Sequence, residues 1–303
     1  MDVGSIDRPV FIVGVPRSGT TLLYRTLLRH PSFRPTKANL SESDAVDALY
    51  SLVDPSAVPA ASLVNYLASS DVPDELRRAI SRARVRRMAV RRLTGDLWTA
   101  TPWVWRLGGE HRILRTYLAL AATLRGASRI LEKTPGHLWR VRHLKFAFPE
   151  SQFLCIHRHP VDVLNSYWRR FRLEGESAKW ANVDVDEFAR VWNAGVLEAD
   201  ALTTAYPAAF HVLRYEDLVA DPESSIRSVL DRLDEAYDPT CVETFERQAG
   251  RVFVGDEAVT AARATTWRET VSEDQAARLE GLTMRPMQRL AYQRYTPPGA
   301  PVT

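Results

Sequence analysis

Cysteine is scarce in this chain: its 303 residues include two, Cys155 and Cys241. Two cysteines make no disulfide framework of the kind that small secreted domains rely on, and Cys155 sits inside an apolar, strand-like run, so the composition points to a reducing compartment. Long apolar runs are missing as well. No stretch approaches the roughly 18 to 20 consecutive apolar residues of a membrane span, and MDVGSIDRPV at the N-terminus lacks the basic flank and apolar stretch of a signal peptide. A cytoplasmic protein is the expectation. The histidines and cysteines form no cluster with metal-ligand spacing, so the pattern asks for no bound metal. Repeats and low-complexity tracts are absent, apart from the tail TPPGAPVT over residues 296–303, which is expected to be loose. A strong charge imbalance is lacking too: 40 Lys and Arg against 37 Asp and Glu leave a formal charge of +3. That suits a small anionic ligand without by itself indicating nucleic acid.

What is present is enough for one large α/β domain spanning residues 1–303, with its core over about 8–295: the sequence is 45% hydrophobic and 25% charged. The organising stretch is VFIVGVPRSGTTLLYRTLLRH, Val10 to His30. Its apolar run is short and rich in branched residues, and it breaks at Pro16 and Gly19, as a buried strand does on entering a loop. Leu22, Leu23, Leu27 and Leu28 then recur at helical spacing. A strand, a tight loop and a helix aim several backbone N–H groups and the positive end of a helix dipole at one point, the usual way a chain holds a phosphate-like anion. Gly14, Gly19, Thr20 and Thr21 match the phosphate-loop spacing G-x-x-x-x-G-K-[ST], except that Thr20 stands where the lysine belongs. A nucleoside triphosphatase needs that lysine. Here Arg17, inside the loop, supplies the positive charge, which suits an anion with less charge to neutralise.

Further along, Ser41 and Asp44 before Ala45, Ala48, Leu49 and Leu52 read as a capped helix start, with Glu42 beside them. Residues 74–93, DELRRAISRARVRRMAVRRL, carry eight arginines around an apolar stripe. Such a helix either faces a membrane surface or acidic partner, or is a solvated helix with its apolar edge in the core. Trp98, Trp103 and Trp105 line an acceptor pocket or pack the core. Residues 129–149 read as strand, turn and helix, and the strand end carries Lys133. Ligands of a parallel sheet collect beyond the carboxyl ends of its strands, so Lys133 is expected on the same rim as Arg17. His137 is either a base or a hydrogen-bonding cap at a helix start. QFLCIHR, Gln152 to Arg158, is the next buried strand, and HPVDVLNSYWRRFR opens a helix. Arg158 at the strand end and Ser166 two turns into that helix are placed to grip one phosphate between a forked cation and a small hydroxyl, and Asp162 reads as structural. A long helix is expected over 184–206, a strand over 210–214, and a terminal helix from about Asp274 to Tyr292.

PRSGTTLL, KTP followed by His137, the R-x-P-x-D-x-x-x-S spacing from Arg158 to Ser166, YEDL from Tyr215, and W-R at Trp267 and Arg268 occur in that order. Together they resemble the sulfotransferases that use 3′-phosphoadenosine 5′-phosphosulfate (PAPS), of the bacterial type related to the tyrosylprotein and carbohydrate branch. The resemblance covers most of the chain from Val10 to about Tyr292 and is weakest between Thr36 and Gly126. It implies a P-loop-like three-layer fold, a central parallel sheet flanked by helices, with strands near residues 10–15, 129–132, 152–157 and 210–214. It also implies roles. Arg17 with the N–H groups of Ser18, Gly19, Thr20 and Thr21 would hold the 5′-phosphosulfate, and Arg158 with Ser166 the 3′-phosphate. Tyr215 would contact the nucleotide or simply pack at its strand end. Trp267 would pack or stack on the base, and Arg268 would reach phosphate; the glycine-lysine-glycine form of this last loop is missing, and Arg263 is a substitute. Lys133 would stabilise charge on the bridging oxygen. Glu42, ahead of His137, would take the acceptor proton, though both Glu42 and Asp44 also suit a helix N-terminus by charge alone. The implied reaction moves a sulfuryl group to a hydroxyl of a small-molecule, lipid or sugar acceptor, with PAPS as cosubstrate and no metal. A small-molecule kinase on the same core and a non-catalytic nucleotide-binding relative are the open alternatives.

Overall fold

The computed structural model describes residues 8–33, 129–169, 183–243, 246–248, 251–254, 257–259 and 266–296. Glu42, Asp44, the arginine-rich stretch 74–93, Trp98, Trp103, Trp105, Arg263 and the tail beyond Thr296 lie outside the described residues.

Four strands, β1 (Val10–Val13), β2 (Leu131–Lys133), β3 (Gln152–His157) and β4 (Phe210–Arg214), form one parallel sheet in the order β2-β1-β3-β4. All four residues of β1 are buried, as are the last five of β3. That is why these segments read as unbroken apolar runs: a strand covered on both faces has no solvent side to alternate with. Helix α1 (Thr20–Leu27) follows β1, α2 (Val141–Ala147) follows β2 after a 3₁₀ turn over Pro135–Arg140, and α3 (Pro160–Trp168) follows β3.

By contact the described residues fall into two units. One holds residues 8–11, 27–33 and 129–153, the other residues 12–26 and those from 154 onward. In the first, the Val10 N–H donates to the Ile130 carbonyl and the Gln152 N–H to the Pro9 carbonyl, both at 2.9 Å. Phe11 stacks on Phe153 at 5.3 Å and leans on Phe148 at 5.8 Å. Arg129 Nε donates to the Arg8 carbonyl at 2.7 Å, and its guanidinium lies over Phe33.

The second unit carries the larger core. Helix α4 (Val185–Ala205) packs along α7 (Glu273–Arg289) and α3, enclosing Trp168, Trp192 and Trp267. Truncating a tryptophan enclosed to this degree costs about 3 to 5 kcal/mol. The helix starts are set by local chemistry. The Asp184 carboxylate accepts from the Glu187 N–H at 2.7 Å, and Ser272 with Gln275 forms a reciprocal capping box at the start of α7. After β4 the chain turns at once into α5 (Tyr215–Ala220), then α6 (Pro222–Arg232), with Pro222 in the first helical turn and Asp221 accepting from the Ser224 N–H. Strands β5 (Glu246–Gln248), β6 (Arg251–Val254) and β7 (Glu257–Val259) make a separate antiparallel meander, with Val252 opposite both Arg247 and Val259.

Candidate active site

Strand β1 stops at Gly14 because the next strand is too close for a side chain. A Cβ on Gly14 would stand 2.7 Å from the Ile156 carbonyl oxygen, and its φ of +149° is one that L residues rarely adopt. The loop beyond it takes two more left-handed residues, Arg17 at φ +73° and Gly19 at φ +105°. Left-handed residues in such a loop are one way a chain turns N–H groups toward an anion; the Ser18 N–H itself donates to the Val15 carbonyl at 3.2 Å. The first helical bond runs from the Leu23 N–H to the Gly19 carbonyl. The N–H groups just before it belong to the first turn of α1, where no intrahelical acceptor exists. Ser18 is 1% exposed, and its hydroxyl has no hydrogen-bond partner among the described residues. Thr20 is buried beside it, and Thr21 is half-buried.

Three contacts join this loop to the groups expected at the other end of a nucleotide. Arg17 Nε donates to Ser166 Oγ at 3.2 Å. A Cβ on Gly19 would fall 2.3 Å from Tyr215 Cδ2, so the tyrosine ring lies directly on the loop glycine. The Arg158 guanidinium sits 4.4 Å from the centroid of that same ring. Arg17, Gly19, Ser166, Tyr215 and Arg158, from four segments of sequence, therefore form one continuous group. Arg158 is 4% exposed, and its Nε has no hydrogen-bond partner among the described residues. A guanidinium so deeply buried is costly unless an anion meets it.

The backbone at Arg158 is tied on both sides. Trp192 Nε1 donates to the Arg158 carbonyl at 3.2 Å, and the His159 N–H donates to Glu216 Oε1 at 2.9 Å. Burial raises the Glu216 carboxyl, and hydrogen bonds from the His159 N–H and the Tyr292 hydroxyl offset part of that rise. Sequence reasoning missed the partnership of Glu216 with His159, which joins residues 57 apart. The available signal was the place of Glu216 beside Tyr215 at the end of a strand.

His157 and His159 flank Arg158. Burial lowers His157 to about 4 and His159 to about 3. Unfolding returns each to its ordinary value near 6.5, so below that pH the unfolded chain binds the additional protons. Stability is therefore full above about pH 6.5 and is lost as the pH falls toward the folded values, at roughly 1.4 kcal/mol per pH unit for each histidine. Urea denaturation at pH 7 and pH 5 checks this: His157→Phe is expected to make the fall shallower by about 2 kcal/mol.

Lys133 is the last residue of β2 and half-buried. The turn after it is stapled by Glu132, which accepts from Thr134 Oγ1 at 2.5 Å and from the His137 Nδ1–H at 3.1 Å. His137 is 1% exposed and presents an edge to Phe11 at 6.5 Å. Trp267, fully buried, belongs to the core around α3, α4 and α7. Arg268 lies over the Trp267 ring at 4.4 Å and pairs with Glu273 at 2.5 Å, its side chain about half exposed.

A parallel sheet whose first strand feeds a glycine-bent anion loop, with a buried arginine at the end of the neighbouring strand, is the P-loop-like α/β class. A sulfotransferase family model matches residues 9–239, and the chain belongs to that family. The nodulation protein NoeE of Sinorhizobium fredii is 27% identical over 270 residues, covering 84% of this chain and 54% of that protein. The chain thus spans about half the length of this curated relative. The fold is similar to that of the sulfotransferase domain of the Synechococcus PCC 7002 olefin synthase, with a TM-score of 0.54 and 21% identity over 97% of this chain and 98% of that one. It is also similar to a sulfotransferase from Alicyclobacillus acidocaldarius, with a TM-score of 0.50 and 16% identity over 95% and 98% of the two chains.

Proposed function

We propose that this chain is a PAPS-dependent sulfotransferase acting on a hydroxyl of a small-molecule, lipid or sugar acceptor, with adenosine 3′,5′-bisphosphate as the second product. The observation that carries the reading is the group formed by Arg17, Gly19, Ser166, Tyr215 and Arg158. It joins the anion loop to a buried arginine that lacks a hydrogen bond at Nε among the described residues. Ser18 Oγ and Arg158 Nε are buried donors without partners among the described residues, and phosphate oxygens would satisfy both.

Bound PAPS supplies an activated sulfuryl group on an anionic phosphate leaving group. The N–H groups of Gly19, Thr20 and Thr21, with Arg17 and the Ser18 hydroxyl, hold its 5′ end, the Ser18 N–H being donated to the Val15 carbonyl at 3.2 Å, and Arg158 with Ser166 holds its 3′-phosphate. Tyr215 presents a flat apolar face between these two grips. Trp267 keeps the neighbouring core rigid, and Arg268 closes on phosphate by leaving Glu273. Lys133 stabilises negative charge on the bridging oxygen, where a preorganised cation is worth most. Glu42 takes the acceptor proton. His137, tied to Glu132, holds the Lys133 turn instead. No helix among the described residues is long and apolar enough to cross a membrane. The two buried thiols, Cys155 and Cys241, fit a reducing cytoplasm.

The test is transfer of radiolabelled sulfate from PAPS to a panel of lipid, sugar and phenolic hydroxyls, with formation of adenosine 3′,5′-bisphosphate followed in parallel. Label is expected in one acceptor class without added magnesium. Lys133→Ala is expected to lower turnover about 100-fold while leaving nucleotide affinity within about threefold. Neither label transfer nor bisphosphate formation in any class, or transfer from ATP instead, would overturn the reading.

A further inference from the structure

Residues 292–296, which follow α7, touch the groups that hold Arg158 in place. The Tyr292 hydroxyl donates to Glu216 Oε2 at 3.0 Å, behind the carboxylate that receives the His159 N–H. The Gln293 carbonyl accepts from His159 Nε2–H at 3.0 Å. The Tyr295 ring stacks on the His159 ring, 3.8 Å between centroids and 16° from parallel, and its hydroxyl donates to Asp162 Oδ2 at 2.9 Å. Asp162 lies in the first turn of α3, one turn before Ser166. The segment is itself anchored from α7 by Glu280, which has no exposed surface. Glu280 accepts from the Tyr295 N–H at 2.5 Å, from Arg294 Nε at 3.3 Å, and from the Thr296 N–H and hydroxyl.

We infer that Tyr295 is a positioning residue for the 3′-phosphate grip: it clamps His159 and the first turn of α3, and so fixes where Arg158 and Ser166 stand relative to each other. The inference rests on the function proposed above. The Arg158 Nε makes no hydrogen bond within the described residues, so at that atom nothing but an anion would hold the guanidinium. Its direction is inherited from the backbone at residues 158–160 and from the Tyr215 ring. Glu216 and Trp192 fix the N–H and carbonyl on either side of the 158–159 peptide. Tyr295 also hydrogen-bonds a side chain of α3, the helix that carries Ser166. The His159 carbonyl already accepts from the Val163 N–H at 3.0 Å, so the backbone joins His159 to the first turn of α3, and the Tyr295 hydroxyl adds the side-chain bond that fixes the Asp162 face of that turn against the stacked rings. Shifts of a fraction of an ångström matter where a forked cation and a hydroxyl must meet one phosphate together.

The experiment uses the full chain and two nucleotides differing only in the 3′-phosphate, adenosine 3′,5′-bisphosphate and adenosine 5′-monophosphate, titrated calorimetrically. Tyr295→Phe is expected to weaken the bisphosphate about five- to tenfold and to leave the monophosphate within about twofold, the loss of one well-placed hydrogen bond. Asp162→Ala is expected to produce the same selective loss, and the double variant no more than either single one. A role confined to folding would lower affinity for both nucleotides together, or only the melting temperature, and either result overturns the inference. So does wild-type discrimination that survives Tyr295→Phe and Tyr295→Leu alike. Equal affinity of the wild-type chain for the two nucleotides would remove the proposed function itself, and this inference with it.

Discussion

Arg158→Ala is expected to weaken binding of adenosine 3′,5′-bisphosphate about 100-fold and to leave adenosine 5′-monophosphate nearly untouched, because a buried forked cation makes charge-assisted hydrogen bonds worth roughly 1.5 to 3 kcal/mol each. The size of the effect follows from burial. Arg158 is 4% exposed, so water neither screens its attraction for a phosphate nor replaces it once it is gone. The selectivity follows from position, since the guanidinium rests on the Tyr215 ring at the end of β3 and is not part of the Gly19 loop. Arg158→Lys is expected to recover only part of the loss, because an ammonium keeps the charge but lacks the planar fork. Calorimetric titration of both nucleotides against both variants measures this, and equal weakening of the two nucleotides by Arg158→Ala would move the 3′-phosphate elsewhere.

Gly19→Ala is expected to abolish measurable nucleotide binding and to lower stability by about 2 to 4 kcal/mol. Two costs add. The added methyl would stand 2.3 Å from Tyr215 Cδ2 and 3.0 Å from Cε2, a collision with the body of a buried ring. The residue would also hold φ near +105°, which costs an L side chain roughly 1 to 3 kcal/mol. Relief requires either the loop to open or Tyr215 to leave, and Tyr215 is the surface on which Arg158 rests. Both grips are lost together. Urea denaturation and nucleotide titration on one preparation check the two parts, and a variant that keeps normal affinity would show that the loop does not touch the ligand.

Much of this arrangement was legible in the sequence, and the physical reason is that local chemistry set it. The apolar runs at 10–15 and 152–157 have no polar face because both faces of a parallel sheet are covered. The structure gives Val10–Val13 and Gln152–His157, the first ending early at Gly14, where β3 comes too close for a side chain. The strand at 210–214 and the helices expected over 184–206 and 274–292 appear as Phe210–Arg214, Val185–Ala205 and Glu273–Arg289, bounded by caps that can be read locally at Asp184 and Ser272. The strand expected at 129–132 is Leu131–Lys133, starting two residues later and ending one later, which makes Lys133 part of the strand. Less legible were bonds between distant segments. Nothing in YEDL announces that Glu216 receives the His159 N–H, and nothing near Tyr295 points to Asp162, 133 residues away. The antiparallel meander over 246–259 was not anticipated either, because its strands are only three or four residues long and each is shorter than a periodic pattern needs.

The most direct test of the two-grip account is a competition on the wild-type chain between adenosine 3′,5′-bisphosphate and ATP, each with and without magnesium. The account predicts that the bisphosphate binds at least about tenfold more tightly and that magnesium changes its affinity little, because Arg17 and Arg158 supply the counter-charge. Tighter binding of ATP, dependent on magnesium, would contradict it.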